Sequence, residues 1–394
     1  MPKVYEMVYD YYINEIKSGA LHSWDKMPSL RETVNILNVS RTSVETAYTN
    51  LAADGFIYPV EKVGYYVADS AERFFEDMKK DGAEEIAENR RYTYDLATIG
   101  EDRAVSCLDL WRRYMKSALR QEERLLSYAD NQGEEDLREE IAVYVRKTRN
   151  IICTAKDIVI GAGYQNLLQI LSKVAEDEQS AYIAPSYMTK WGEVMTMKSR
   201  REFIDGAFKA GRLIIEDDYQ NDFAFSTKPM PSIYAMTGGE RTAFIGSFSR
   251  VLLPSIRISY LILPRELRGK YEEVKGDYNQ TSSMAEQIAL AKFLRDGQLN
   301  RHIKKVRRYY EEKKALTIRL LHEAYGNKAR IISGESGMEI GILPYRGLPK
   351  EKLKQCPVKV NVVSDNDDNE MLLISCSKIG IDDMREAIGI LSRI

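Results

Sequence analysis

The side chains with chemistry to offer are gathered in a few short segments. Gly246-Ser247-Phe248-Ser249-Arg250 sets two hydroxyls and a guanidinium at the end of the apolar run Ala243-Phe244-Ile245. A guanidinium stays protonated at physiological pH and has no free amine lone pair, so Arg250 cannot attack an aldehyde as a desolvated lysine can. What it does well is fork onto carboxylate or phosphate; buried, it needs an acid, and Asp217 is the partner expected. Glu216-Asp217-Asp218-Tyr219 closes another β-prone run, Leu213-Ile214-Ile215, with carboxylates and a phenol. Gly161-Ala162-Gly163 precedes a helical pattern whose first amides suit an anion. Taken singly, a Gly-x-Gly is more often a tight turn, and an acidic pair at a strand end more often a cap. Lys190, beside Pro185-Ser186-Tyr187-Met188-Thr189, is a further amine, with no spacing that ties it to the rest.

At 394 residues the chain exceeds one ordinary hydrophobic core and predicts two or three domains. A composition 44% hydrophobic and 29% charged fits a soluble globular protein. A formal net charge of -2 excludes a globally basic nucleic-acid binder but leaves a local basic surface open. Cys107, Cys153, Cys356 and Cys376 are far apart, form no C-x-x-C pair and have no histidine at ligand spacing, which argues for reduced core thiols and against zinc or a disulfide framework. No run approaches the roughly 18 uncharged apolar residues of a spanning helix. Met1-Pro2-Lys3-Val4-Tyr5 lacks an apolar signal core, so the expected address is the cytoplasm, with no membrane partner.

The first seventy residues must position one set of these groups. Tyr5, Val8, Tyr9, Tyr12, Ile13 and Ile16 recur at helical spacing and Gly19 follows as a stop. Ser29-Leu30-Arg31-Glu32 fits a capping box that opens a second helix, with Leu37-Asn38-Val39 as the turn after it. Ser40 caps a third helix that buries Val44, Ala47, Tyr48 and Leu51, stops at Gly55 and leaves Arg41, Thr42 and Ser43 in its exposed first turn. Phe56-Ile57-Tyr58 and Tyr65-Tyr66-Val67 read as a hairpin around residues 59–64. The sum is a winged helix-turn-helix. Its six basic and nine acidic side chains leave it net acidic, so DNA binding requires Arg31, Arg41 and Lys62 to converge on one face.

Lys26-Met27-Pro28-Ser29-Leu30-Arg31-Glu32, Asn38-Val39-Ser40-Arg41-Thr42-Ser43-Val44 and residues 47–57 follow in the order that closely resembles the GntR-family DNA-binding domain. The resemblance implies a double-stranded DNA operator as partner. It implies contacts from Ser29, Arg31, Ser40, Arg41, Thr42 and Ser43, with Lys62 and Gly64 at a wing tip in the minor groove.

From Tyr94 onward, helical patterns alternate with short apolar runs such as Ile158-Val159-Ile160 and Ala181-Tyr182-Ile183, an α/β arrangement. Trp111-Arg112-Arg113, residues 128–133, 137–141 and 160–165, Glu216-Asp217-Asp218-Tyr219, the Ser247 segment and Arg301-His302-Ile303 resemble, in order, the aminotransferase-like (fold type I) part of MocR-type regulators. The resemblance implies a winged helix-turn-helix over 1–70, a connector over 71–95, a large domain with a central mixed sheet over 96–270 and a C-terminal α+β subdomain over 271–394. It implies a homodimer, and it marks the remnant of a pyridoxal phosphate site. There Asp217 would face the ring nitrogen, Tyr219 the phenolic oxygen, and Ser247, Arg257 and the amides after Gly161 and Gly163 the phosphate.

Three departures fall on that one ligand. Arg250 stands where the family carries the lysine that holds the cofactor covalently. Residues 176–185 are shortened where the family has a long segment bearing an aromatic that stacks on the ring. No arginine for a substrate carboxylate occurs near Met371-Leu372-Leu373-Ile374-Ser375-Cys376. The expectation is therefore a transcriptional regulator without transaminase activity. It has no metal and no cofactor, pyridoxal phosphate held non-covalently being the alternative, and it senses a small acidic or phosphorylated effector; the alternative function is a pyridoxal-phosphate-dependent aminotransferase or a regulator that senses that cofactor.

Overall fold

The computed structural model describes residues 3–70, 92–218, 221–223, 230–364 and 369–394. Residues 71–91 of the expected connector, and Tyr219, lie outside them. The chain divides into two compact units, Met1–Arg91 and Tyr92–Ile394.

In the first unit, α1 (Val4–Ser18) ends at Gly19, whose φ of 81° only glycine adopts freely. Helix α2 (Leu30–Leu37) opens on the predicted capping box: the Ser29 hydroxyl accepts from the Glu32 amide, and the Glu32 carboxylate accepts from the Ser29 amide. Asn38, left-handed at φ 51°, turns the chain into α3 (Arg41–Ala53), capped by Ser40. Strands β1 (Ile57–Val60) and β2 (Gly64–Val67) pair antiparallel from Ile57 opposite Val67 to Val60 opposite Gly64. The hairpin runs further than its sequence suggested, because Pro59, which has no N–H to donate, still fits a two-stranded ribbon. Val8, Tyr12, Ile16, Val44, Ala47, Tyr48, Leu51, Ile57 and Val67 form the core. Burying each large side chain contributes roughly 1.5–3 kcal/mol. The Tyr12 hydroxyl lies 2.6 Å from Thr33 Oγ1, which lies 2.9 Å from the Tyr48 hydroxyl, a buried chain of bonds that knits α1, α2 and α3.

The second unit is built on a five-stranded mixed sheet in the order β4-β8-β7-β6-β5: β4 (Ile158–Gly161), β5 (Ser180–Ile183), β6 (Leu213–Asp217), β7 (Thr242–Ser247) and β8 (Ser259–Ile262). β5, β6 and β7 run parallel, and β8 is antiparallel to both its neighbours. β4, β6, β7 and β8 are nearly continuous buried runs, as strands covered on both faces must be. Helix α6 (Tyr164–Val174) packs Leu167, Ile170 and Leu171 onto one face, and α7 (Met197–Lys209) packs Ala207 against Ile214 on the other. The preceding helices are α4 (Leu108–Ala118) and α5 (Glu135–Arg149). β5 follows α6 after only five residues and is an edge strand, its positions alternating exposed and half-buried. The segment 176–185, expected to be shortened, thus lies at the open edge of the sheet.

The remainder comprises α8 (Met284–Arg295), the long α9 (Gln298–Tyr325), α10 (Ile381–Leu391) and an antiparallel sheet in the order β12-β13-β10-β9. Its strands are β9 (Ala329–Ile332), β10 (Glu339–Pro344), β12 (Asn361–Ser364) and β13 (Glu370–Ser375). Two expected boundaries need correction. β3 (Tyr94–Asp95) pairs in parallel with β11 (Val358–Lys359), so the body begins at Tyr92 and the connector ends before residue 95. One apolar core runs from Phe244 and Tyr260 through Leu299 and Tyr310 to Ile340 and Ile374, so 96–270 and 271–394 fold as one unit.

Candidate functional site

The first unit presents a polar face through α3. Arg41 and Thr42 are exposed and Ser43 is half-buried. The Ser40 hydroxyl accepts from the Ser43 amide, which fixes where the helix starts. Arg31 is exposed on the first turn of α2. Lys62 lies at the hairpin tip in the left-handed region, φ 62°, next to Gly64 at φ 130°. Ser29 and Ser40 are at work as caps, each accepting an amide N–H, and both are exposed; a hydroxyl that accepts through a lone pair keeps its O–H to donate to a phosphate or a water.

In the second unit the C-terminal ends of β6 and β7 and the start of α6 enclose a cavity of about 500 Å³. Gly163, Asp217, Ser247, Arg250 and Arg257 all line it, as expected from the sequence. Gly161 and Ala162 turn the chain beneath it: Ala162 donates to Thr281 Oγ1 at 2.8 Å, and Gly163 has φ 93°. A Cβ on Gly163 would lie 2.6 Å from Arg257 Nη2, so glycine lets the guanidinium settle over the helix start. Among the described residues the Arg257 side chain has no hydrogen-bond partner. The Ser259 hydroxyl donates to Ser247 Oγ at 2.9 Å. Helix amides, a hydroxyl and an exposed guanidinium together favour an anion at this end.

The opposite end is closed. Arg250 pairs not with Asp217 but with Glu339 on β10, its Nη2 3.3 Å from Oε1, and its Cζ sits 5.7 Å from the Phe223 ring centre. Glu339, 3% exposed, also accepts from the Met338 amide at 2.9 Å and lies 3.2 Å from the Tyr187 hydroxyl, whose one proton is shared with the Lys190 carbonyl at 2.8 Å. Asp217 instead accepts from the Tyr182 hydroxyl at 2.6 Å, and Tyr182 packs edge-on to Tyr164. Lys190 is exposed and does not line the cavity, so it is not a relocated amine there. Around 371–376 the chain supplies buried Leu372, Ile374 and Cys376 rather than a cation, and burial pushes the Cys376 thiol up to about 12.

Several residues that build the site carried no sequence signal. Arg149 at the end of α5, 5% exposed, donates to Asp218 Oδ2 at 2.6 Å and Asp222 Oδ1 at 2.9 Å. It neutralises two of the carboxylates that line the cavity and tips the local balance toward anions. Glu216 is structural: it accepts from the Ile233 and Tyr234 amides at 2.8 Å each, and burial pushes its carboxyl up to about 7. Glu339 and Tyr182 reach the site from segments distant in sequence.

Pyridoxal phosphate therefore fits this site only in part. Gly163, Ser247 and Arg257 suit its phosphate. At the other end the described residues place a guanidinium turned onto Glu339, and a guanidinium cannot capture an aldehyde.

Residues 4–67 match the family described as bacterial regulatory proteins, gntR family. YdeL of Bacillus subtilis (strain 168), an uncharacterized HTH-type transcriptional regulator, is 29% identical across 92% of this chain and 89% of its own. That alignment runs over 412 positions, more than this chain has residues, so the relative carries residues absent here. The probable rhizopine catabolism regulatory protein MocR of Rhizobium meliloti is 22% identical across 89% of this chain and 83% of its own. A solved archaeal alanine:glyoxylate aminotransferase superposes with a TM-score of 0.69 at 19% identity, covering 81% of this chain and 94% of that one. It shares the fold.

Proposed function

The chain is of the MocR type, a GntR-family winged helix-turn-helix followed by an aminotransferase fold, and from that premise we propose that it is a DNA-binding transcriptional regulator whose C-terminal body binds a small phosphorylated or acidic effector and catalyses no transamination. The observation that carries this reading is Arg250: at the end of β7, where the aminotransferase-like relatives it resembles hold a covalent lysine, a guanidinium is engaged by Glu339. Binding without covalent capture suits a cavity with an anion-seeking end and, among the described residues that line it, no amine. The protein works in the cytoplasm as a homodimer, since two-fold symmetry suits paired half-sites. No helix among the described residues is long and apolar enough to cross a membrane.

The test is an electrophoretic shift with DNA from upstream of its own gene, repeated with phosphate monoesters. A retarded complex whose affinity changes with the ester supports both parts; no complex at any protein concentration refutes the first. A second reading, pyridoxal phosphate held non-covalently, is favoured by Arg257 over the α6 N-terminus. Borohydride treatment separates it from covalent attachment, which alone leaves a reduced adduct on the chain.

A further inference from the structure

Helix α3 contains two charged side chains, Arg41 and Glu45, so the element placed to read DNA has no net charge. Arg41 Nε donates to Glu45 Oε1 at 2.8 Å, one turn along the same face, with the two side chains 66% and 44% exposed. The neighbouring hydroxyls are occupied within the helix: Thr46 donates to the Thr42 carbonyl, Thr49 to the Glu45 carbonyl, and Ser43 pairs with Ser40. A carboxylate on Nε leaves the two terminal nitrogens of Arg41, the fork that matches O6 and N7 of guanine, free and already oriented. The second oxygen of Glu45 keeps lone pairs for an amino group, and in the major groove cytosine presents one at N4.

We propose that Glu45 is a specificity-determining residue: it orients Arg41 toward a guanine and accepts from the amino group of an adjacent cytosine. The proposal rests on the DNA-binding reading of this unit. It also gives a role to the acidic balance of the domain, because a carboxylate in the groove repels phosphates and weakens binding to arbitrary sequence. The competing role, a brace within the helix between two exposed side chains, contributes little to stability and gives no base preference.

The experiment selects sites from a random-core DNA duplex pool with the full-length chain, its E45Q and its E45A variants, and measures anisotropy on the enriched sites at one fixed salt concentration. Wild type should enrich cytosine beside a guanine. Glu45→Gln should move that position toward adenine, whose N6 and N7 match an amide, changing the cytosine-to-adenine preference by about 5- to 150-fold. Glu45→Ala should lose the preference and bind random DNA more tightly. If both variants keep the wild-type preference at every position, Glu45 is only a brace and the proposal falls. If wild type enriches no sequence, the DNA-binding reading falls with it.

Discussion

Replacing Glu339 by alanine should destabilise the C-terminal unit far more than replacing Arg250 by methionine. The Glu339 carboxylate serves three donors, the Arg250 guanidinium, the Tyr187 hydroxyl and the Met338 amide. Its removal leaves a guanidinium that is 13% exposed, with its Nε already without a partner among the described residues and the Phe223 ring 5.7 Å from its Cζ. Breaking a buried pair in this way costs about 3–5 kcal/mol. Arg250→Met leaves the carboxylate with the Met338 N–H and a share of the Tyr187 O–H, which also donates to the Lys190 carbonyl, and puts an apolar chain in the vacated volume, so a loss of about 1–2 kcal/mol is expected. Urea unfolding of the full chain, reading the transition of the C-terminal unit, distinguishes the two. At a slope of about 3 kcal/mol per molar, a 4 kcal/mol loss lowers the midpoint by about 1.3 M. If Arg250→Met proved as damaging as Glu339→Ala, or if Glu339→Ala stayed within about 1 kcal/mol of wild type, the view of Arg250 as a guanidinium anchored by Glu339 would be wrong.

Arg41→Ala should weaken binding to an enriched DNA site by about 1–3 kcal/mol, measured by anisotropy; unchanged affinity would remove Arg41 from the interface. Pyridoxine 5′-phosphate, which lacks the aldehyde, should bind the C-terminal unit as tightly as pyridoxal phosphate in calorimetry, and Arg257→Ala should weaken both by roughly 1.5–3 kcal/mol, the worth of a charge-assisted bond. A strong preference for the aldehyde would point to a nucleophile. Burial, and then the neighbouring Asp102, push the Glu101 carboxyl up to about 7, so folding favours its protonated form. That contribution is complete below about pH 4.5, the ordinary value, and is lost as pH rises through 7, worth at most about 3 kcal/mol. His302, 3.9 Å away, acts in the opposite sense, since burial lowers its pKa and its contribution grows with pH. Glu101→Gln should therefore gain stability relative to wild type as pH rises from 5 to 8 in thermal melts; parallel curves would contradict the assignment.

The first unit was legible because its signals are local. A serine followed three residues later by glutamate, Gly19 after an apolar stripe and Ser40 before another each fix a helix end through bonds that span four residues or fewer. The α/β order was legible from the alternation of apolar runs and helical patterns, whereas Gly163, Asp217 and Ser247 are named only through the resemblance of several segments in order, since a strand end or a helix start alone marks no site. What escaped is what those side chains pair with. Arg250 meets a carboxylate 89 positions later and Asp217 a phenol 35 positions earlier, and no periodicity encodes either. Arg149 sits in a basic run at a helix end and reads as a surface cation until the fold brings Asp218 and Asp222 to it. In the sequence Asp217 reads as the acid available to Arg250, but in the fold Tyr182 on the edge strand β5 donates to it and Arg250 turns to Glu339. Charge pairing in a buried site is decided by which elements the fold brings together, so composition near Arg250 could indicate that it would need an acid but not which one.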